Sequence, residues 1–128
     1  MKTLRGRRGA RGPAGAQGAT GPRGKPGTAL AYAHITSNGT FDAAHSSGVT
    51  AANFKHNGAG KYCFQGLRFT PHNVVATIDA VGAGTKLPGA TANVALGTSS
   101  FCSSGSQVAV ITASNSALSN FGVYIVFN

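Results

Sequence analysis

The chain closes on FGVYIVF, residues 121–127, and the alternation of side chains along this stretch decides how the rest is read. In an extended strand successive side chains point to opposite faces, so Phe121, Val123, Ile125 and Phe127 share one face and Tyr124 and Val126 the other. Four bulky apolar groups on one side require a core. The second side is apolar as well, which is the pattern of a strand covered on both faces. Cover for that second face is expected either from a neighbouring subunit around a threefold axis or from the chain's own loops. Phe121, Val123, Tyr124, Ile125 and Phe127 are therefore the candidate subunit interface.

Upstream of this strand, short β-like runs recur: ALAYAHIT (29–36), GTFDA (39–43), VTAANFKH (49–56), KYCFQG (61–66), NVVATIDAV (73–81), ATANVALG (91–98) and QVAVITA (107–113). Between them stand Ser47-Gly48, Gly58-Ala59-Gly60, Thr70-Pro71, Gly82-Ala83-Gly84, Pro88-Gly89 and Ser103-Ser104-Gly105, residues that supply positive φ or fix φ in turns. Asn38-Gly39-Thr40 matches a glycosylation sequon, but it fits equally a hairpin turn, a reading that assumes nothing about the host. No segment keeps helical periodicity with start and stop signals. Eight short runs with frequent turns predict an all-β fold over residues 30–128, an antiparallel β-sandwich of jelly-roll-like type.

Ahead of residue 30 the pattern is different. Residues 6–29, GRRGARGPAGAQGATGPRGKPGTA, place Gly6, Gly9, Gly12, Gly15, Gly18, Gly21, Gly24 and Gly27 at every third position. A period of three belongs neither to an α-helix nor to a strand. It is the period of polyproline II chains wound three together, where only hydrogen fits at the shared axis. A flexible glycine-rich linker keeps no such phase and favours Ser over Arg and Pro.

These triplets resemble a collagen-like repeat of the short bacterial and phage type, and the stalk-then-head order resembles the plan of C1q-related proteins. The resemblance implies a homotrimer whose β head sets the register of the rod. It departs from collagen in proline content, since only Pro13, Pro22 and Pro26 fall within the repeat. Eight triplets also span only roughly 75 Å. So short a rod is expected to depend on the head, because tethering raises the effective concentration of the three strands. In a chain carrying an extracellular type of rod, Cys63 and Cys102 are expected to form an intrachain disulfide; their spacing excludes a CxxC redox or zinc pattern.

Charge is unevenly placed. The chain carries 11 Lys and Arg against 2 acidic residues, a net +9. Lys2, Arg5, Arg7, Arg8, Arg11, Arg23 and Lys25 give residues 1–28 a charge of +7, whereas Lys55, Lys61, Arg68 and Lys86 against Asp42 and Asp79 leave +2 for the remainder. Arg7, Arg8, Arg11, Arg23 and Lys25 would form a cationic column on a rod, a candidate contact for polyanions such as acidic polysaccharide, with salt-sensitive affinity. The favoured reading is solubility and rod stability. Nucleic acid is not the expected partner, because no interleaved aromatics offer base stacking.

With two aspartates and no glutamate, little acid–base chemistry is available and no nucleophile elbow is present, so an enzyme is not expected. His34, His45, His56 and His72 show no i, i+2 or i, i+4 pair and read as surface histidines. A three-histidine site built across chains is the alternative; no metal or other cofactor is expected. No run of about 18 apolar residues is present to span a bilayer. The opening MKTLRGRRG has a basic start but no apolar h-region, so either the true start lies upstream or the chain leaves its cell by another route.

The domain expectation is a remnant or anchor at 1–5, a stalk at 6–29 and a trimerising head at 30–128. The functional expectation is a non-enzymatic structural protein of a cell surface, extracellular space or virion. Its alternatives are an adhesin that binds host glycan or protein by trimer avidity, and a phage tail-fibre tip.

Overall fold

The computed structural model describes residue 6, residues 8–22 and residues 29–128. The strands run in chain order as β1 (Ala31–Ile35), β2 (Phe54–His56), β3 (Lys61–Phe64), β4 (Val74–Asp79), β5 (Ala90–Leu96), β6 (Val108–Ser114), β7 (Ala117–Leu118) and β8 (Gly122–Phe127). They form two antiparallel sheets, a three-stranded one in the order β1-β8-β4 and a five-stranded one in the order β2-β3-β6-β5 with β7 beside β6. The fold is all-β, and the only helical segments among the described residues are three single turns of 3₁₀ helix.

The sheets face each other across a shared core. Ala31, Ala33 and Ile35 from β1, Val74 from β4, and Val123, Ile125 and Phe127 from β8 meet Tyr62 and Phe64 from β3 and Val108 and Val110 from β6. The Phe64 and Phe127 rings meet edge to face across the two sheets at 5.2 Å, flanked by Phe54 at 5.6 Å from Phe64 and Phe69 at 6.0 Å from Phe127. Such edge-on pairs add to burial by setting the positive ring edge against the negative face.

Strand β6 is buried on both sides along its first six residues. Its inner face is Val108, Val110 and Thr112. On its outer face Ala109 and Ile111 cluster with Cys63 and Cys102. The cover there is the chain's own: Cys63 and Cys102 are disulfide-bonded, with Cα atoms 5.8 Å apart, which holds the 97–107 loop down on the sheet. The Asn57 amide adds a hydrogen bond to the Phe101 carbonyl at 2.9 Å.

Two of the anticipated runs bend away from strand. In GTFDA, Phe41 forms a single bridge to Ile35, after which the chain turns into 3₁₀ helix at Ala43–His45. Asp42 drives that turn, since its carbonyl accepts from the His45 N–H at 3.2 Å and from the Ser46 hydroxyl at 2.7 Å. In VTAANFKH only Phe54–His56 is strand, because Thr50 and Asn53 exchange reciprocal side-chain and backbone bonds around Ala51–Asn53. The Asn38-Gly39 turn is present: Thr36 N–H donates to the Thr40 carbonyl at 2.9 Å, and Gly39 takes φ +79°.

Tyr62 fastens the last strand. Its buried hydroxyl donates to the Phe121 carbonyl at 2.8 Å and accepts from the Phe121 N–H at 3.1 Å. Burial pushes the phenol above the ordinary tyrosine range. An unfolded chain therefore loses its phenolic proton first, so the stability held by this group is intact below about pH 10 and falls as pH rises beyond it. Chemical denaturation between neutral pH and strong alkali is expected to show that fall, and Tyr62→Phe to flatten it.

Candidate functional site

The two outer faces of the sandwich differ. On the five-stranded sheet the stapled loop covers Cys63, Ala109 and Ile111 of β3 and β6, and the outward positions of β5 are the polar Thr91 and Asn93 and the small Ala95. On the three-stranded sheet, Tyr32 is 51 % exposed, Val75 55 %, Tyr124 46 % and Val126 37 %. Register explains their assembly: Tyr32 and Val75 stand opposite Val126 from either side, and Tyr124 occupies the next outward position of β8.

This placement corrects the expected subunit interface. Phe121, Val123, Ile125 and Phe127 are at most 1 % exposed and fill the protomer's own core. Alternation correctly separates two faces but does not say which one meets the second sheet. Of the five candidates only Tyr124 lies on the open side.

At one end of that face the fold brings together residues that are far apart in the sequence. His34, outward-facing on β1 yet only 8 % exposed, stacks on the Tyr124 ring at 4.3 Å and 20°. Its Nδ1 lies 2.7 Å from Asp42 Oδ2, and its Nε2 lies 2.9 Å from Asp79 Oδ2. His45 Nδ1 lies 2.8 Å from the same Asp42 oxygen. The only 2 acidic residues of the chain thus converge on one imidazole.

Hydrogen bonds from His34 and then His45 hold the Asp42 carboxyl below the usual carboxylate range. The Val81 N–H, with His34 second among the favourable contacts, does the same for Asp79. The geometry also explains Gly122, which pairs with Asp79 in the sheet. A Cβ there would stand 3.1 Å from Asp79 Cβ and 3.3 Å from its Oδ2, in the path by which Asp79 reaches across β8 to His34.

The reading of all four histidines as scattered is therefore corrected for His34 and His45. The Asp42/His45 spacing of three residues was a visible signal; the convergence of His34 and Asp79 was not, because it depends on the β1-β8-β4 register. His56 lies apart and meets Asn120 at 3.0 Å, and His72 is exposed at the opposite end of β4 from Asp79.

Residues 8–22 are exposed and neither helical nor stranded. A Cβ built at Gly6, Gly9, Gly12, Gly15, Gly18 or Gly21 would meet nothing within 4 Å. Of the cationic candidates, Arg8 and Arg11 are exposed. Arg7, Arg23 and Lys25, together with Gly24, Gly27 and the 1–5 segment, lie outside the described residues. Among the described residues no helix is long and apolar enough to cross a membrane. No protein-family model, curated protein or solved structure matches the chain.

Proposed function

We propose that this chain is a non-enzymatic, homotrimeric structural protein, a collagen-like fibre of a cell surface or extracellular setting. Residues 6–29 wind with two further copies into a short triple-helical stalk. Residues 30–128 form a head, jelly-roll-like in plan, that closes and registers the trimer.

One contrast among the glycines carries the reading. In the sandwich, 10 glycines have positive φ and Gly122 abuts Asp79, so the chain's own structure accounts for them. Among the described residues, the phased glycines lack any such account. None from Gly9 to Gly21 has the left-handed φ, and a side chain there would strike nothing. A demand for hydrogen that the chain itself does not make comes from outside it, and three polyproline II strands make that demand at every third residue.

The head's contribution follows from its bare face. Tyr32, Val75, Tyr124 and Val126 present apolar surface that two further copies would cover, and a threefold stalk supplies those copies at high effective concentration.

Sedimentation of the purified chain at micromolar concentration is expected to give a trimer, and a monomer would sink the proposal. Far-ultraviolet circular dichroism is expected to show a polyproline-like signal with its own melting transition. Gly15→Ala should remove that transition and leave the β-sheet melt in place, because the added methyl has no room at a threefold axis. An unchanged signal would mean that the glycine phase has another cause.

A further inference from the structure

His34 poses a chemical problem. A neutral imidazole carries one N–H, yet both ring nitrogens of His34 stand within hydrogen-bond distance of a carboxylate oxygen, at 2.7 and 2.9 Å. The Nδ1 of His45 also approaches the Asp42 oxygen that His34 Nδ1 already faces. Two imidazole nitrogens and one carboxylate oxygen, all within 4.8 Å of one another, thus converge on one point.

We propose that His34 Nδ1, His45 Nδ1 and Asp42 Oδ2 bind a divalent transition-metal ion of the zinc class. The donor set fits: imidazole nitrogen with one carboxylate suits zinc, copper and nickel, whereas magnesium and calcium take oxygen ligands. The charge fits too. Two positive charges against two carboxylates leave the cluster neutral with both imidazoles uncharged, and the His34 N–H conflict disappears.

The surroundings are those of a metal centre. With Nδ1 on the metal, His34 Nε2–H donates to Asp79 Oδ2, the carboxylate–histidine–metal arrangement that fixes the tautomer and raises ligand basicity. The Tyr124 ring, stacked on His34, and the hydrogen bond from the His34 backbone N–H to the Ser46 hydroxyl at 3.1 Å hold this ligand in place. A tetrahedral ion with ligands at about 2.0–2.1 Å needs donor atoms about 3.3 Å apart, so each imidazole nitrogen moves roughly half an ångström away from the Asp42 oxygen. His45 can supply that movement, since its side chain is 69 % exposed on a single 3₁₀ turn.

Isothermal titration of the full, untagged chain with zinc chloride tests the proposal. The expected result is one zinc per chain, whether the chain sediments as monomer or trimer, so this outcome is independent of the stalk and its trimer. His45→Ala changes an exposed side chain and is expected to abolish measurable binding. Asp79→Asn is expected to weaken binding by about 10–100-fold. His72→Ala, distant from the site, should bind as the wild type does. With copper(II) as a second probe, electron paramagnetic resonance should show hyperfine coupling to two imidazole nitrogens, falling to one in His45→Ala. No binding by the wild-type chain overturns the assignment, as does binding that survives His45→Ala or a stoichiometry of one ion per three chains.

Discussion

Phe64→Ala is expected to lower the stability of the sandwich by about 3–5 kcal/mol, the cost of removing a fully buried aromatic side chain from a core that closes only partly around the gap. Phe64 stands where the two sheets meet, with the Phe54 ring on its own sheet and the Phe127 ring on the other. Its loss removes contacts from both layers, and the strands carrying its neighbours are fixed by backbone ladders that resist collapse into the void. Urea denaturation is the measurement: the midpoint should fall with little change in slope. A loss below about 1 kcal/mol would mean the core is repacked more freely than close-packed interiors allow. For a domain of this size such a substitution consumes a large part of the total stability, so poor expression of the variant is the accompanying expectation.

The second large effect concerns the covalent staple. Cys63 and Cys102 lie 39 positions apart. Opening a closed loop of that length is expected to cost about 4 kcal/mol on the chain-entropy model. Most of this acts on the unfolded chain, which gains conformations when the link is cut. A folded-state effect accompanies it: without the bond the 97–107 loop is no longer held over Ala109 and Ile111, and the outer side of the five-stranded sheet is wetted. Denaturation of the Cys63→Ser, Cys102→Ser double variant should show the lower midpoint, together with a steeper dependence on denaturant because its unfolded state exposes more surface. Equal stability with and without the bond would show that the loop is held by its polar contacts, such as that of Asn57 to Phe101, and not by the link.

What the sequence made legible was whatever depends on local alternation. FGVYIVF reads as a strand because each side chain's face follows from its position, and QVAVITA (107–113) reads as strand from its β-branched residues. The turn at Asn38-Gly39 is equally local. Less legible was anything that depends on which elements become neighbours. A strand with two apolar faces does not announce which face meets the opposite sheet, so four core residues were indistinguishable from interface residues. The His34 cluster draws on β1, the 3₁₀ turn that follows it, and β4, and becomes a cluster only when β8 lies between the two strands with glycine at position 122. Asp42 and Asp79 stood out as the chain's only acids, but the sequence holds no period that relates them. GTFDA and VTAANFKH were overread as strands because side-chain-to-backbone bonds from Ser46, Thr50 and Asn53 compete with the ladder there.

The pairing of the first strand with the last has a practical consequence. Ala31 stands opposite Phe127, and the Leu30 N–H donates to the Phe127 carbonyl at 2.8 Å. Entry and exit of the sandwich are therefore side by side, at the far end of β1 from the Ser37-Asn38-Gly39 loop. A peptide grafted into that loop would project from the opposite pole, whereas one appended after Asn128 would emerge beside Leu30. The scaffold thus offers two addresses for cargo, separated by the length of a strand.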